Sequence, residues 1–255
     1  MPHPTMDKQR GATFDNQLIE LDSVDSTNNY AMAQYHAGLA EGGQVYFAHR
    51  QWAGKGQRGR TWMSEPGHNI SMSLVLDPRP LRLPGQFLLG AAAALGCLYE
   101  VRKEAPAGWT VKWPNDIYQG DRKAAGILIE NVIRGKDWIC AVIGIGMNLN
   151  QTAFPDHLLH AVSLKQITGR SFEPLVLARE LVSQIGTQVE LLRADPHAIL
   201  NAFNQNLYKR GETVTLRKGN IQFETRVEAV NQRGQLVTGG GSFSHGEVEW
   251  TMDNG

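Results

Sequence analysis

The chain is short of several things, and each shortage excludes a class. It has two cysteines, Cys97 and Cys140, too few for a disulfide framework or a cysteine-based zinc site. Both lie in apolar runs and are expected as reduced, buried thiols. Neither sign of charge is in excess: 25 Lys and Arg face 25 Asp and Glu. That balance argues against nonspecific binding to nucleic acid or an anionic membrane as the main task. Long hydrophobic runs are missing too. The longest uncharged apolar stretch, Phe87 to Tyr99, is 13 residues, short of the ~20 a membrane span needs. The opening Met1-Pro2-His3-Pro4-Thr5-Met6 is polar and unlike a signal peptide, so the expected location is cytoplasmic. His157 and His160 share a helical spacing, but no third ligand lies near them in sequence, and no protein metal site is expected.

With 42% hydrophobic and 20% charged residues, the chain can bury a sizeable core. Strands are expected at Leu18–Leu21, Gln44–His49, Asn69–Leu76, Thr110–Trp113 and Asp116–Tyr118. A hairpin of Ala125–Ile133 and Trp138–Ile145 turns at Arg134-Gly135-Lys136. Helices are expected from Asp25 to about His36, over Gln86–Lys103, and at about 174–193 and 196–206; residues 1–16 read as a loose polar lead-in. After Tyr208 the texture changes to short strands (Thr213–Leu216, Gln222–Ala229, Gln235–Val237, Gly246–Trp250) with glycine turns, the pattern of a small barrel. The expected division is a larger domain, 1–206, and a small one, 207–255.

Glycine is plentiful, 27 residues where an average chain has about 7%, and it is clustered. Gly54, Gly56 and Gly59 have dinucleotide-fingerprint spacing, but no helix opens at the third glycine, and no Gly-Lys-Ser/Thr follows. Both nucleotide fingerprints therefore fail on context. What remains is a loop with four cations, Arg50, Lys55, Arg58 and Arg60, and no acid between Glu41 and Glu65. Its glycines let backbone N–H groups crowd an anion, and Trp52 and Trp62 can wall an apolar ligand. The reading is a lid over an anionic, partly apolar ligand; a solvated hairpin tip is the alternative.

A second cluster puts Lys112 inside an apolar strand, which is costly unless the amine meets an anion. The ligand reading stands beside a structural Lys112–Asp116 ion pair. Gly126 interrupts the next strand, a sign of close approach by a ligand or backbone. Gly144-Ile145-Gly146-Met147-Asn148 ends another, with an amide that can read a purine edge or cap a turn. Asp25-Ser26-Thr27-Asn28 can cap a helix or grip a polar, uncharged group. No nucleophile–base pair stands out. Any catalysis is expected to work by positioning and by cations at a phosphoryl or acyl-phosphate transition state.

Taken in order, Asp25-Ser26-Thr27-Asn28, Gly54-Lys55-Gly56-Gln57-Arg58-Gly59-Arg60, Lys112-Trp113-Pro114-Asn115-Asp116, Lys123-Ala124-Ala125-Gly126-Ile127-Leu128 and Gly144-Ile145-Gly146-Met147-Asn148 resemble the biotin protein ligases. The resemblance spans about residues 18–150. The C-terminal strands ending Gly246-Glu247-Val248 are similar to that family's SH3-like domain. It implies an α+β fold, a mixed sheet flanked by helices as in class II aminoacyl-tRNA synthetases and lipoate ligases, plus a small C-terminal SH3-like barrel. The implied reaction joins biotin and ATP into biotinyl-5′-AMP and pyrophosphate, then moves biotin to a lysine of a biotin carboxyl carrier protein.

The resemblance also implies roles. Lys112, Lys123 and Arg58 would be catalytic. Ser26, Thr27, Asn28, Gln51, Gly54, Lys55, Gly56, Gln57, Lys123 and Gly126 would bind biotin. Arg58, Arg60, Trp62, Lys112, Asn115 and Asn148 would bind ATP, with Mg²⁺ screening the phosphates, and Asp116 would either steer the acceptor lysine or support the groups around it. The family's loop is commonly Gly-Arg-Gly-Arg; here Lys55 and Gln57 replace both arginines, and a weaker hold on the adenylate is expected. Some relatives carry an N-terminal DNA-binding module, for which the stretch before the first strand is too short, so no nucleic-acid or membrane partner is expected. The expected acceptor is the carrier of acetyl-CoA carboxylase or of a related carboxylase, and the expected state a monomer or homodimer. The rivals are a lipoate-type ligase on the same scaffold, whose apolar ligand would not need Ser26, Thr27, Asn28 and Gln51, and a non-catalytic module that binds a carrier domain.

Overall fold

The computed structural model describes residue 14 and residues 18–251; the expected lead-in over residues 1–16 lies, Phe14 excepted, outside them. Seven strands form the first sheet: β1 (Leu18–Val24), β2 (Val45–Gln51), β3 (Ile70–Leu76), β4 (Trp109–Lys112), β5 (Asp116–Gln119), β6 (Arg122–Arg134) and β7 (Asp137–Met147). Their order is β1-β2-β3-β7-β6-β5-β4. β1 and β2 are parallel and the other pairs antiparallel, so the sheet is mixed. The helices are α1 (Thr27–His36), α2 (Gln86–Glu104), α3 (Leu164–Thr168), α4 (Pro174–Ala194) and α5 (Pro196–Gln205).

Side chains alternate across a strand, and this sheet uses its two faces differently. On β7, Ala141, Ile143, Ile145 and Met147 enter the main core with Ile70, Met72, Leu74 and Leu76 of β3. α2 and α4 cover that face, and α5 packs on both helices. Ala91 to Ala94 of α2 are fully buried, and a Cβ at Gly96 would lie 2.8 Å from the Ile185 Cα, which measures how closely α2 and α4 cross. α4 repeats Leu177, Ala178, Leu181, Val182, Ile185, Val189 and Leu192 at buried positions, the stripe of an amphipathic helix. The opposite face is only partly covered: α1 packs a small cluster of Ala31, Tyr46, Val75, Cys140 and Val142. Both cysteines are buried and free, and burial pushes each thiol up to about 12, leaving no nucleophile there.

The second sheet joins β8 (Thr213–Lys218), β9 (Ile221–Val230), β10 (Leu236–Thr238), β11 (Gly241–Phe243) and β12 (Glu249–Trp250). It is antiparallel, in the order β11-β10-β9-β8-β12. Three elements differ from expectation. The strand expected over Gly246–Trp250 narrows to its last two residues, because Gly246 turns the chain at φ 89°; β11 had no run long enough to signal it. α3 was also unforeseen. Ser163 and Gln166 form its reciprocal capping box, a signature that the five-residue helix keeps too short to read by periodicity.

Two ties hold the second sheet to the first. The chain leaving α5 pairs with the edge of β4: the Val111 N–H donates to the Asn206 carbonyl at 2.8 Å and the Tyr208 N–H to the Val111 carbonyl at 2.9 Å. The Trp113 indole donates to the Gly234 carbonyl at 2.9 Å.

Candidate active site

The uncovered half of the sheet's second face forms a floor. Register aligns Ser71 of β3, Gly146 of β7, Gly126 of β6, Asp116 of β5 and Lys112 of β4 in one cross-strand rank. Four strand spacings make that rank about 19 Å long. Beside it runs Ser73, Gly144 and Leu128. The glycines are required by what lies above them. A Cβ at Gly144 would sit 2.2 Å from Asn28 Oδ1, and one at Gly146 would sit 2.3 Å from the Trp62 ring. The cavity over this floor measures about 490 Å³, the size of a small-molecule site.

The end at α1 is a network of neutral groups with one carboxylate behind it. Ser26 occupies the N-cap position of α1, yet its hydroxyl makes no cap bond. Gln51 of β2 does that work: its Oε1 accepts from the Thr27 N–H at 2.7 Å and lies 3.1 Å from the Thr27 hydroxyl. The buried Ser73 hydroxyl donates to Asn28 Oδ1 at 2.6 Å and lies 2.8 Å from Thr27 Oγ1. Asn28 Nδ2 donates to Glu130 Oε2 at 2.8 Å, which fixes the amide's orientation because a carboxylate only accepts.

The glycine-rich loop is a small hairpin along one wall, closed by the Lys55–Thr61 bridge. Arg58 turns it with φ 56°, followed by Gly59 at φ 76°. Lys55 Nζ reaches Glu130 Oε1 at 3.3 Å, so one carboxylate meets both the loop and Asn28. The Arg58 guanidinium packs on Gly246, 3.2 Å from where its Cβ would be. The C-terminal sheet thereby meets the loop, and His245, Gly246, Val248, Glu249 and Trp250 line the cavity.

At the far end the cations gather. Lys123 Nζ pairs with Asp116 at 2.7 Å over Gly126 and stands 5.7 Å from the Trp62 ring centre. Lys112 is only 6% exposed, and its Nζ donates to the Tyr118 hydroxyl at 3.3 Å. Burial pushes Lys112 down to about 8; the charges of Asp116 and Asp121 oppose that, while Lys123 and Arg60 add to it. Burial, together with Arg58 and Arg60, lowers His245. The indole N–H groups of Trp62 and Trp250 are buried without a hydrogen-bond partner, polar groups that a ligand would satisfy.

The Biotin/lipoate A/B protein ligase family profile matches residues 20–148, half of the chain. The chain belongs to the biotin/lipoate A/B protein ligase family. It is 30% identical over 225 residues to the biotin–[acetyl-CoA-carboxylase] ligase of Paracoccus denitrificans, covering 85% of this chain and 92% of that one. It is 37% identical over 160 residues to a bifunctional ligase/repressor of Bacillus spizizenii, covering 61% of this chain and 48% of the relative. The chain thus spans about half the length of that repressor and of its Escherichia coli counterpart. In fold it is similar to a biotin protein ligase from Aquifex aeolicus in complex with biotin and ATP, with a TM-score of 0.77 and 24% identity over 92% of this chain and 98% of that one.

Against this family background, the placement of the expected residues is informative. All the candidates except Gly54 line the one cavity: Ser26, Thr27, Asn28, Gln51, Lys55, Gly56, Gln57, Arg58, Arg60, Trp62, Lys112, Asn115, Lys123, Gly126 and Asn148. Gly54 stands behind the wall, where its carbonyl accepts from the Trp62 N–H at 2.9 Å and a Cβ would lie 2.4 Å from the Trp62 carbonyl oxygen. Its place in the ligase family's loop is to seat Trp62. Trp52 does not wall the cavity; it is 68% exposed, because the strand alternation that points Gln51 inward points its neighbour out. Asp116 takes Lys123, rather than Lys112, as its ion-pair partner. Asn115 donates to the Ile127 carbonyl at 2.5 Å and Asn148 to the Val162 carbonyl at 3.3 Å, so both amides also hold backbone in place. Ser73, Glu130, Tyr118, Tyr208 and Trp250 were missed. Ser73 and Glu130 sit at alternating positions of apolar strands, a signal the sequence did carry; the rings sit far apart along the chain and carried none.

Proposed function

We propose that the chain is an ATP-dependent biotin ligase. The biotin carboxylate attacks the α-phosphorus of ATP and pyrophosphate leaves. A lysine amine of a biotin carboxyl carrier protein then attacks the acyl carbon of biotinyl-5′-AMP, and AMP departs. One observation carries the reading: a single cavity joins a neutral hydrogen-bonding end to a cluster of cations across a glycine floor. The neutral end suits the ureido head of biotin, a group with fixed donors and acceptors and no charge. Ser26 and Gln51 Nε2 are the groups best free to bind it, with Thr27 and Asn28 held in place behind them.

Lys112 and Lys123 are assigned to the carboxylate and the α-phosphate, which repel each other as they approach; cations fixed in a dry site act most strongly where charge grows. Arg58, Arg60 and Trp62 are assigned to the nucleotide, with Asn115 and Asn148 at its adenosine end. Lys55, Gly56 and Gln57 close over the anhydride and exclude water, and Gly126 lets the acyl chain pass. Mg²⁺ is assigned to the substrate MgATP, where it would screen the phosphates, and Asp116 pairs with Lys123. The proposal divides the chain into a catalytic unit, 1–206, and a small C-terminal unit, 207–255, and takes the acetyl-CoA carboxylase carrier as acceptor. No helix among the described residues is long and apolar enough to cross a membrane, and the cytoplasm is the proposed location.

The test is intact-mass spectrometry of a carrier domain incubated with the protein, biotin and MgATP. A gain of one biotinyl group that disappears without ATP is expected. A gain with lipoate and none with biotin would move the chain to the lipoate side of its family.

A further inference from the structure

Lys112 points from β4 into a space walled by three rings from distant parts of the chain. Its Nζ lies 4.6 Å from the ring centre of Tyr118 on β5, 5.4 Å from that of Tyr208 just beyond α5, and 5.3 Å from that of Trp250 on β12. The rings brace one another, Tyr118 against Tyr208 at 5.3 Å and Tyr208 against Trp250 at 5.6 Å. Behind them the Tyr208 hydroxyl donates to Asp121 at 2.7 Å, and Lys209 Nζ lies 3.4 Å from the same carboxylate. Trp250 is placed by pairing with Leu216 of β8, and Tyr208 by its backbone bond to Val111, the residue before Lys112.

We propose that Trp250, braced by Tyr208, is a positioning residue that holds the Lys112 ammonium over the cavity floor, so that the C-terminal sheet builds part of the activation machinery. The inference rests on the ligase reading for what Lys112 does, and on geometry alone for what holds it. Ring faces attract an ammonium within about 6 Å and hold it by shape as well as by charge. A long, flexible lysine stem would otherwise sample many rotamers; three walls restrict it.

The cage also keeps water off the amine. Among the described residues, the charged and titratable groups around it include Asp116 and Tyr118 on β5, Asp121 in the β5–β6 turn, Lys123 on β6 and Arg60 in the loop. Tyr208 faces it from beyond α5, and His245 and Glu249 line the same cavity from the C-terminal sheet. Burial is the largest influence and holds the amine at about 8 instead of the usual 10.5. Opening the cage to water therefore raises it.

The experiment is competitive acetylation of the full-length protein with acetic anhydride from neutral to strongly alkaline pH, reading the Lys112 peptide by mass spectrometry, beside the pH profile of biotinyl-AMP formation. In the natural protein Lys112 is expected to titrate near 8, and Trp250→Phe should keep that value. Trp250→Ala should raise it by about one pH unit or more and lower kcat about tenfold, with the KM for biotin within about twofold. An unmoved titration with kcat intact in Trp250→Ala overturns the proposal. If that variant fails to fold by thermal melt, Trp250→Gln takes its place, with an upward shift in support and an unmoved value against. A natural protein that makes no biotinyl-AMP would sink the ligase reading, while the labelling titration would still decide the cage.

Discussion

The two ends of the cavity hold their groups by different physics. At the α1 end, Thr27, Asn28, Gln51 and Ser73 are tied to one another by hydrogen bonds between neutral groups, and one carboxylate, Glu130, orients the Asn28 amide and meets Lys55 of the loop. At the β4 end, aromatic faces pack around Lys112, and Lys123 pairs with Asp116. A neutral network fixes donor and acceptor directions, which is what discrimination between ligands needs. Buried cations supply charge stabilisation, which is what a rate needs. On the proposed ligase reading, one cavity separates choosing the substrate from activating it.

Variants at each end can break that comparison. Lys112→Ala should have the largest effect, lowering biotinyl-AMP formation about 10²- to 10³-fold in single turnover while calorimetry finds biotin affinity within about twofold. Equal losses in both would mean that the ends are not separate. Gly144→Ala is the converse: its methyl would meet Asn28 Oδ1, so biotin affinity should fall about tenfold or more with ATP affinity kept. An unchanged biotin affinity would remove Asn28 from the biotin end.

The comparison sharpens with pH. Lys112 must be protonated to act, and burial places its loss of charge near 8. The activation rate should therefore hold below that value and decline above it, about tenfold per pH unit at the limit, whereas biotin binding by neutral groups should stay flat over the same range. A flat rate through that range would mean that the Lys112 charge is not used. The smallest effect is expected at the loop: Gln57→Arg restores a planar cation beside the anhydride and should slow release of the adenylate a few-fold, measured by filter assay. Unchanged release would show that the loop holds the adenylate by its backbone rather than its charges.

Much of this was legible beforehand. Lys112, Lys123, Gly126 and the Gly54–Arg60 loop announce themselves as cations and glycines inside otherwise apolar or turn-poor surroundings, and the paired β6–β7 hairpin follows from its alternation and its Gly135 turn. The cap at α1 was misleading. Ser26 has the residue type and position of a capping side chain, but Gln51, 24 residues away from Thr27, takes the N–H. Trp52 and Trp62 look equivalent in the loop, and only register separates a cavity wall from an exposed ring. Short elements such as α3 and β11 escaped because two or three buried residues make no period.

By itself, the sequence determined the class of the molecule: a charge-balanced α+β chain whose glycines and lysines mark a candidate site in family order. Local chemistry suffices for that, since strand alternation, turn glycines and cations in apolar runs are readable within a few neighbouring residues. Only the tertiary structure decided which groups share the site. The rank from Ser71 to Lys112 exists because five strands pair in one register. The cage of Tyr118, Tyr208 and Trp250 exists because a second sheet is tied to the edge of β4. Contacts such as those of Lys112 with Tyr208 and Trp250, far along the chain, leave no local pattern, so folding alone brings them together.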